Sequence, residues 1–417
     1  MTHTVDRLDS LLASRLARRR LLGLAAAGGG LLATATANPA GAAPARLLLN
    51  GGPRLRPLSS AYPGKGEMIV QRARPPLLET PFEMFNEGVF TPNDRFYVRW
   101  HWGDIPAAVD TEAFRLGISG AVRQPLSLSL AELLKLPRMA LAAVNQCAGN
   151  SRGLFEPRLG GAQWSHGAMG NALWEGVSLK SLLARAGVKA GALAVRFGGL
   201  DQPLTDADPY AKSLPLEMAL TDDVMVAFAM NGEQLPLLNG FPLRLVVPGW
   251  YSTYWIKALN QIEVLDSEDR NFWTAKAYKI PTAPFAHVAP GTADFPSRPI
   301  STMVPRSFLT NVRDGASLPW QPALALSGIA FGGAAGVKAV ELSSDGGRSW
   351  QPAALGPDEG RYGFRRFTHS VATPAPGTLT LLSRCTASDG AVQAMVPNWN
   401  PSGYQRGCVE PVQLVLA

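Results

Sequence analysis

Cysteine is scarce in this chain: Cys147, Cys385 and Cys408 are the only three among 417 residues, and no two of them share a CxxC spacing. That excludes a disulfide-stapled miniature fold, a zinc ribbon and a c-type haem attachment site. Charged residues are also few, at 17%. Five arginines against two aspartates place three of the seven net positive charges within residues 1–43, and no Lys/Arg run follows. The four that remain are too few and too dispersed for binding a nucleic-acid backbone, although they can favour small anions locally. The five histidines stand apart at positions 3, 101, 166, 287 and 369, so none sits beside a cysteine as a base would beside a thiol nucleophile. What is plentiful is apolar residue, at 46%, with 42 glycines and 34 prolines. This is a loop-rich globular profile of a length that predicts two or three domains, and it excludes disordered, collagen-like and coiled-coil chains.

The N-terminus reads as an address. Arg18-Arg19-Arg20-Leu21-Leu22 opens a short apolar stretch diluted by Gly28-Gly29-Gly30, and small residues follow at Ala35-Thr36-Ala37 and Gly41-Ala42-Ala43. The stretch is shorter than the roughly 20 apolar residues a bilayer requires. An arginine pair, one intervening residue and two leucines match the twin-arginine export signal, so residues 1–43 are expected to be a signal peptide and the protein periplasmic. A Sec signal or a mitochondrial presequence is the other reading. Twin-arginine export carries folded proteins, often with a cofactor inserted, which directs attention to a cofactor site.

Residues 44–285 mix short apolar runs with helix-like windows at Ser129–Leu136 and Leu179–Ala186, and strand-like ones at Ala194–Phe197, Val224–Ala229 and Leu243–Val247. This predicts an α+β or α/β domain rather than a helical bundle. A Pro-, Ala- and Gly-rich stretch over 285–299 reads as a linker. Beyond it, strand-like segments at Ala323–Ile329, Val337–Ser343, Phe364–Phe367 and Leu379–Ser383 alternate with turns such as Asp345-Gly346-Gly347, which predicts a small β-sandwich over 300–417.

Two clusters carry chemistry. In Asn145-Gln146-Cys147-Ala148-Gly149-Asn150-Ser151-Arg152 a thiol lies among small and amide residues with a cation five positions on; a cation favours thiolate, the metal-binding form. The bland alternative is an inert core cysteine. In Arg95-Phe96-Tyr97-Val98-Arg99-Trp100-His101-Trp102 the alternation predicts a strand with Arg99 and His101 on one face, able to hold an oxyanion or merely to form a solvated edge. Arg244, in Phe241-Pro242-Leu243-Arg244, and Lys257 are rim charges or phosphate ligands.

In order and register these segments resemble the sulfite oxidase family of molybdenum enzymes. The motifs are Tyr97-Val98-Arg99-Trp100-His101, Gln146-Cys147-Ala148-Gly149-Asn150, Trp164 with Gly170-Asn171-Ala172-Leu173-Trp174, Met230-Asn231-Gly232, Gly240-Phe241-Pro242-Leu243-Arg244, Val247-Pro248-Gly249, Lys257, Ala277-Tyr278-Lys279 and Ser344-Asp345-Gly346-Gly347 before Trp350. The resemblance implies an α+β sulfite-oxidase-type molybdopterin-binding domain followed by an immunoglobulin-like β-sandwich dimerisation domain. It implies molybdenum with molybdopterin as cofactor, Cys147 as the metal's thiolate ligand, and Tyr97, His101, Ala148, Arg244 and Lys257 as cofactor-binding. Arg99, Arg152, Tyr278 and Trp164 fall to the substrate pocket, Asn231 and Gly232 to a turn holding one wall. Cys385 and Cys408 become candidates for a disulfide.

Plant and animal members place Asn where this chain has Trp100, which is expected to crowd one pocket wall. They also carry a Trp-Asn-x-Arg anion ligand, whereas here Trp399-Asn400 is followed by Arg406 four positions late, the candidate for that role. The expected activity is that of a periplasmic sulfite dehydrogenase acting on an anionic sulfur substrate. With no haem site in the chain, electrons would pass to an external carrier such as a cytochrome c or a cupredoxin, from a homodimer or a complex with a haem subunit. Alternatives on the same fold are a sulfane-sulfur dehydrogenase subunit and a sulfoxide reductase; a metal-free two-domain binding protein is the non-enzymatic alternative.

Overall fold

The computed structural model describes residues 44–47, 49 and 54–417, so the expected signal peptide lies outside the described residues. The fold is mostly β, which corrects the α+β expectation. The longest described α-helix is Leu179–Ala186, and the other four are single turns of four residues. That helix forms where the sequence predicts it because Leu179, Leu182, Leu183 and Ala186 recur on one face and are buried. The Ser178 side chain accepts from the Ser181 amide, and Gly187 ends the helix at φ +70°. The Ser129–Leu136 window forms helix only over Leu130–Leu133, closed by a capping box between Ser129 and Glu132. The apolar runs at Ala194–Phe197, Val224–Ala229 and Leu243–Val247 form strands where the sequence predicts them. Met225–Met230 is one, pairing with three neighbours.

Ahead of residue 285 stand three sheets of four or five strands, beside the two-stranded pair Ala45–Arg46 with Leu55–Arg56. Leu58–Ser59, Met68–Arg72, Leu77–Glu79 and Val98–Arg99 form the first. The second is built on Arg138–Gln146 and Met169–Ser178, antiparallel in unbroken register from Met169↔Gln146 to Val177↔Arg138. The third runs Ala211–Pro215, Ala194–Gly199, Leu259–Leu265, Leu116–Gly120, Leu126–Leu128, with one parallel pair, Leu259–Leu265 on Leu116–Gly120. Asn231 at φ +53° and Gly232 at φ +75° form the tight turn between Met225–Met230 and Glu233–Gln234, and the Asn231 amide reaches Thr91 O and Asn93 Oδ1.

The 285–299 stretch is more than a linker: Ser297–Pro299 pairs with Lys279–Pro281, and Ala286 accepts a hydrogen bond from Asn400. Beyond it, Arg306–Leu309, Ala323–Phe331, Arg365–Ala372 and Ala354–Leu355 form one sheet, and Ala316–Leu318, Val412–Leu416, Gly377–Ala387, Val337–Ser343 and Gln351–Pro352 another. Leu326, Val340, Phe367, Leu381 and Leu414 make a separate core between them. Phe308, Ile329, Phe331 and Phe364 instead join the main core, so the C-terminal sheets are packed onto the rest and not merely tethered to it.

Glu79 closes the first sheet onto the loop before Met169. It is 1% exposed and accepts from Gly167 N at 2.9 Å and Gln71 Nε2 at 2.6 Å; burial pushes its pKa from 4.5 up to about 7 against those bonds. A folded-state pKa above the unfolded one means that the contribution is complete below pH 4.5 and is lost as pH rises through 7. Glu79→Gln is therefore expected to gain on the parent by up to about 3 kcal/mol between pH 4.5 and pH 8, read by urea denaturation at both. A difference independent of pH would contradict this.

Candidate active site

The register of the second sheet delivers Cys147. Gln146 is the last paired residue, and Cys147 steps off the strand with its amide donating to Ala168 O at 2.9 Å. It faces a narrow, largely enclosed cleft. Around it stand Tyr97, Arg99 and His101 from the end of the first sheet, Ala148 beside the cysteine, Arg244 and Lys257, and Tyr278. The strand carrying Arg99 ends there and His101 lies in the following bend, yet both side chains reach the same cleft.

The wall is held by a connected set of bonds. Tyr97 Oη donates to Asn145 Oδ1 at 2.7 Å, and Arg244 Nη2 donates to the same oxygen at 3.0 Å. Arg244 Nη1 reaches Asn239 O at 2.9 Å, and its guanidinium lies 5.2 Å from the Trp174 ring and 5.8 Å from that of Trp255. Lys65 buttresses from behind, its Nζ donating to Asn93 O, Phe96 O and Asn239 Oδ1. The Tyr278 hydroxyl and His101 Nε2 share a hydrogen bond of 2.5 Å, and the imidazole stacks on Tyr210 with centroids 3.3 Å apart.

Electrostatics single the cleft out. Arg99, Arg244 and Lys257 line it, and no carboxylate is among the lining residues. Burial, reinforced by Arg244 and Arg99, lowers the Lys257 pKa to about 7 even though Asp201 opposes it. Burial likewise brings Arg244 down to about 10. His101 is held well below its ordinary value by burial and then by Arg99, Lys257 and Lys212, so the imidazole is neutral at physiological pH. Burial raises the Tyr278 pKa despite Arg99, so the phenol keeps its proton. Arg99 Nη1, His101 Nδ1, Asn145 Nδ2, Arg152 Nε and Arg244 Nε are buried with no hydrogen-bond partner. Orphaned donors of this kind cost free energy unless a ligand takes them up. Cationic, donor-rich walls around one soft thiol fit an anionic, acceptor-rich group carrying a thiophilic metal, as a phosphorylated pterin with molybdenum is.

Other expected residues lie elsewhere. Arg152 is buried and is not among the lining residues. Trp164 is packed in the main core, 1% exposed, and is absent from the lining. Trp100 does not crowd the cleft: its Nε1 donates to Leu238 O at 3.0 Å, and its ring backs Lys257 Nζ at 4.5 Å. Arg406 is not a free anion ligand, because its Nε and Nη2 bind Glu410 at 2.8 and 3.0 Å. Cys385 and Cys408 are not a disulfide; both are free buried thiols. Gln393 stands between them, accepting from Cys385 N and donating to Cys408 O, and burial pushes both pKa values to about 12.

Sequence reasoning missed Asn145, Tyr210, Ser252 and Thr253 as lining residues. Asn145 was visible beside Cys147. Tyr210, in a loop ahead of Ala211–Pro215, and the Ser252–Tyr254 turn carry no pattern of their own and are brought in by the third sheet.

Comparison with known proteins is consistent with this geometry. Residues 102–273 match the family described as oxidoreductase molybdopterin binding domain. The chain is 33% identical to chicken sulfite oxidase over 365 residues, covering 83% of this chain and 78% of that one. It is 34% identical to human mitochondrial sulfite oxidase over 354 residues, covering 80% of this chain and 63% of the human protein. Among solved structures, the sulfane dehydrogenase SoxCD from Paracoccus pantotrophus superposes with a TM-score of 0.69 at 28% identity, over 81% of this chain and 84% of that one.

Proposed function

The chain belongs to the sulfite oxidase family of molybdopterin-binding oxidoreductases, with Mo-molybdopterin as its cofactor, and from that premise we propose that it is a sulfite dehydrogenase. Sulfite and water give sulfate, two protons and two electrons, the electrons leaving one at a time for an external carrier such as a cytochrome c or a cupredoxin. The observation that carries the reading is the cationic, carboxylate-free lining around Cys147.

When bound, the cofactor supplies the two-electron oxygen-transfer chemistry. Cys147 would hold the metal, while Arg244, Lys257, His101, Tyr97 and Ala148 would hold the pterin and its phosphate. Arg99 binds the substrate oxyanion from the wall and Arg152 from behind it, in a site that low dielectric makes effective. Tyr278 keeps its proton and, bonded to the neutral His101, offers a hydroxyl dipole that does not compete as an anion. Losing one charge-assisted bond costs about 1.5–3 kcal/mol, so Arg99→Gln is expected to raise KM for sulfite at least roughly tenfold. An unchanged KM in steady-state kinetics would remove Arg99 from the anion site.

The proposal extends to organisation: residues 1–43 as a twin-arginine leader and the mature protein as periplasmic, 44–285 as the catalytic domain, 300–417 as an immunoglobulin-like dimerisation unit. Two sheets around their own core support the last of these. A second reading, oxidation of a sulfane sulfur, is favoured by the likeness to the sulfane dehydrogenase and by the neutralisation of Arg406 by Glu410, which leaves one cation fewer for a dianion. Purified protein offered sulfite, a thiosulfate-derived sulfane and a sulfoxide in parallel decides between them: the proposal requires sulfite to be turned over fastest, and a faster sulfane would overturn it.

A further inference from the structure

Arg152 is buried without a counter-ion. Its guanidinium has a long hydrogen bond from Nη1 to Ala162 O at 3.4 Å and another to the Tyr404 hydroxyl, while Nε has no partner. No ion pair of the described residues includes it. Three glycines make room for the guanidinium. A Cβ at Gly149 would lie 2.4 Å from Nη2, one at Gly161 3.0 Å from Nη1, and one at Gly403 2.8 Å from Nε.

The remaining face is covered by Tyr404, whose ring centroid is 5.2 Å from Arg152 Cζ. The same ring stacks on Tyr278 with centroids 5.4 Å apart and planes within 7°, and the Tyr278 hydroxyl meets His101 at the cleft. An unbroken stack therefore runs from the buried cation to the pocket. Tyr404 is fixed from both sides: Asn400 Oδ1 accepts from its amide at 3.2 Å, and Asn400 Nδ2 donates to its carbonyl at 2.9 Å. The next amide, Gln405 N, donates to Ala148 O at 3.0 Å, beside Cys147. The segment that carries Tyr404 is thus stitched to the cysteine loop itself.

We propose that Tyr404 is a positioning residue for substrate specificity: its ring face holds the Arg152 guanidinium in the glycine cradle and so sets where that charge meets an anionic sulfur substrate. This rests on the reading of the cleft as an anion site. A desolvated cation over an aromatic face is held by the ring quadrupole, and the Tyr404 hydroxyl adds a hydrogen bond to the same guanidinium, so ring face and hydroxyl both contribute.

The test is sulfate binding, measured by titration calorimetry on molybdenum-loaded protein, with turnover measured separately. Tyr404→Phe, which keeps the ring but loses the hydroxyl's bond, is expected to bind sulfate about threefold more weakly than the parent, and Tyr404→Leu, which loses both, at least about tenfold more weakly, at an unchanged melting temperature. Progressively fluorinated phenylalanines at 404 keep the shape while draining the ring face, so they stay informative should the leucine variant fail to fold. Affinity should fall stepwise along that series. A flat series, a leucine variant that binds like the parent, or a phenylalanine variant as weak as leucine would overturn the proposal. So would a parent that binds no sulfate. A parent that binds sulfate but does not turn over sulfite would sink the reaction while leaving Tyr404 to be judged on binding.

Discussion

Cys147→Ser is expected to fold with an unchanged melting temperature and to lose turnover with sulfite. The side chain is 8% exposed at the first position beyond the strand Arg138–Gln146, and its backbone bond to Ala168 does not involve sulfur, so an isosteric hydroxyl leaves the scaffold intact. What changes is the ligand. Oxygen is harder and, as an alcohol, a poorer ligand for a soft metal than a thiol, so the one soft donor in the cleft disappears. Removing even an outer partner of a metal ligand costs roughly 10- to 100-fold, and loss of the ligand itself should exceed that. Molybdenum analysis of the variant separates lost metal from lost chemistry. Turnover within a few-fold of the parent would show that Cys147 is an inert core thiol.

Glu410→Ala is expected to be the most destabilising of the substitutions considered. Glu410 accepts two bonds from Arg406, and its Oε1 lies 3.6 Å from Nη2 of Arg306, a fully buried arginine. Burial alone would raise the Glu410 pKa, but Arg406, His166 and Arg306 outweigh it and hold the carboxyl below its ordinary range. Truncation leaves two buried guanidiniums facing each other without a counter-charge, a loss of about 3–5 kcal/mol. The effect should reach the active site. Arg306 also donates to Ser151 Oγ, which bonds His166 Nδ1 at 2.8 Å, and Ser151 sits at φ +68° immediately before Arg152. Urea denaturation gives the energy; a loss below 1 kcal/mol would mean that the network is relaxed or hydrated.

The two variants probe parts of the molecule that differ in how far the sequence foretold them. Cys147, Arg99, His101, Arg244, Lys257 and Tyr278 converge on one cleft; the first five stood in segments whose residue types already suggested anion or metal chemistry, and Tyr278 was carried by the family resemblance alone. The Arg306–Glu410–Arg406 cluster was invisible as a whole, because Arg306 lies about a hundred residues before the other two and meets them only in the folded chain. Arg406 was assigned to the anion site on spacing alone, and its carboxylate partner four residues on was the overlooked signal. Tyr404 was missed for the same reason as Tyr210: a lone aromatic in a loop has no period to read. The domain is more β than expected because the Ser129–Leu136 window closes only a single helical turn over Leu130–Leu133, whereas Leu179–Ala186, with one buried and one exposed face, forms its helix. Trp100, expected in the pocket, turned to the opposite side of its strand from Arg99, as alternation along an extended chain dictates.

The central claim is tested most directly by determining molybdenum on the same purified sample whose sulfite-dependent reduction of ferricyanide is measured. The account predicts about one molybdenum per chain and acceptor reduction that requires sulfite and saturates with it, the one-metal stoichiometry following from a single thiolate in the cleft. Protein free of molybdenum yet folded, or molybdenum-replete protein inert to sulfite, would contradict it, the first by removing the enzyme and the second by removing the substrate.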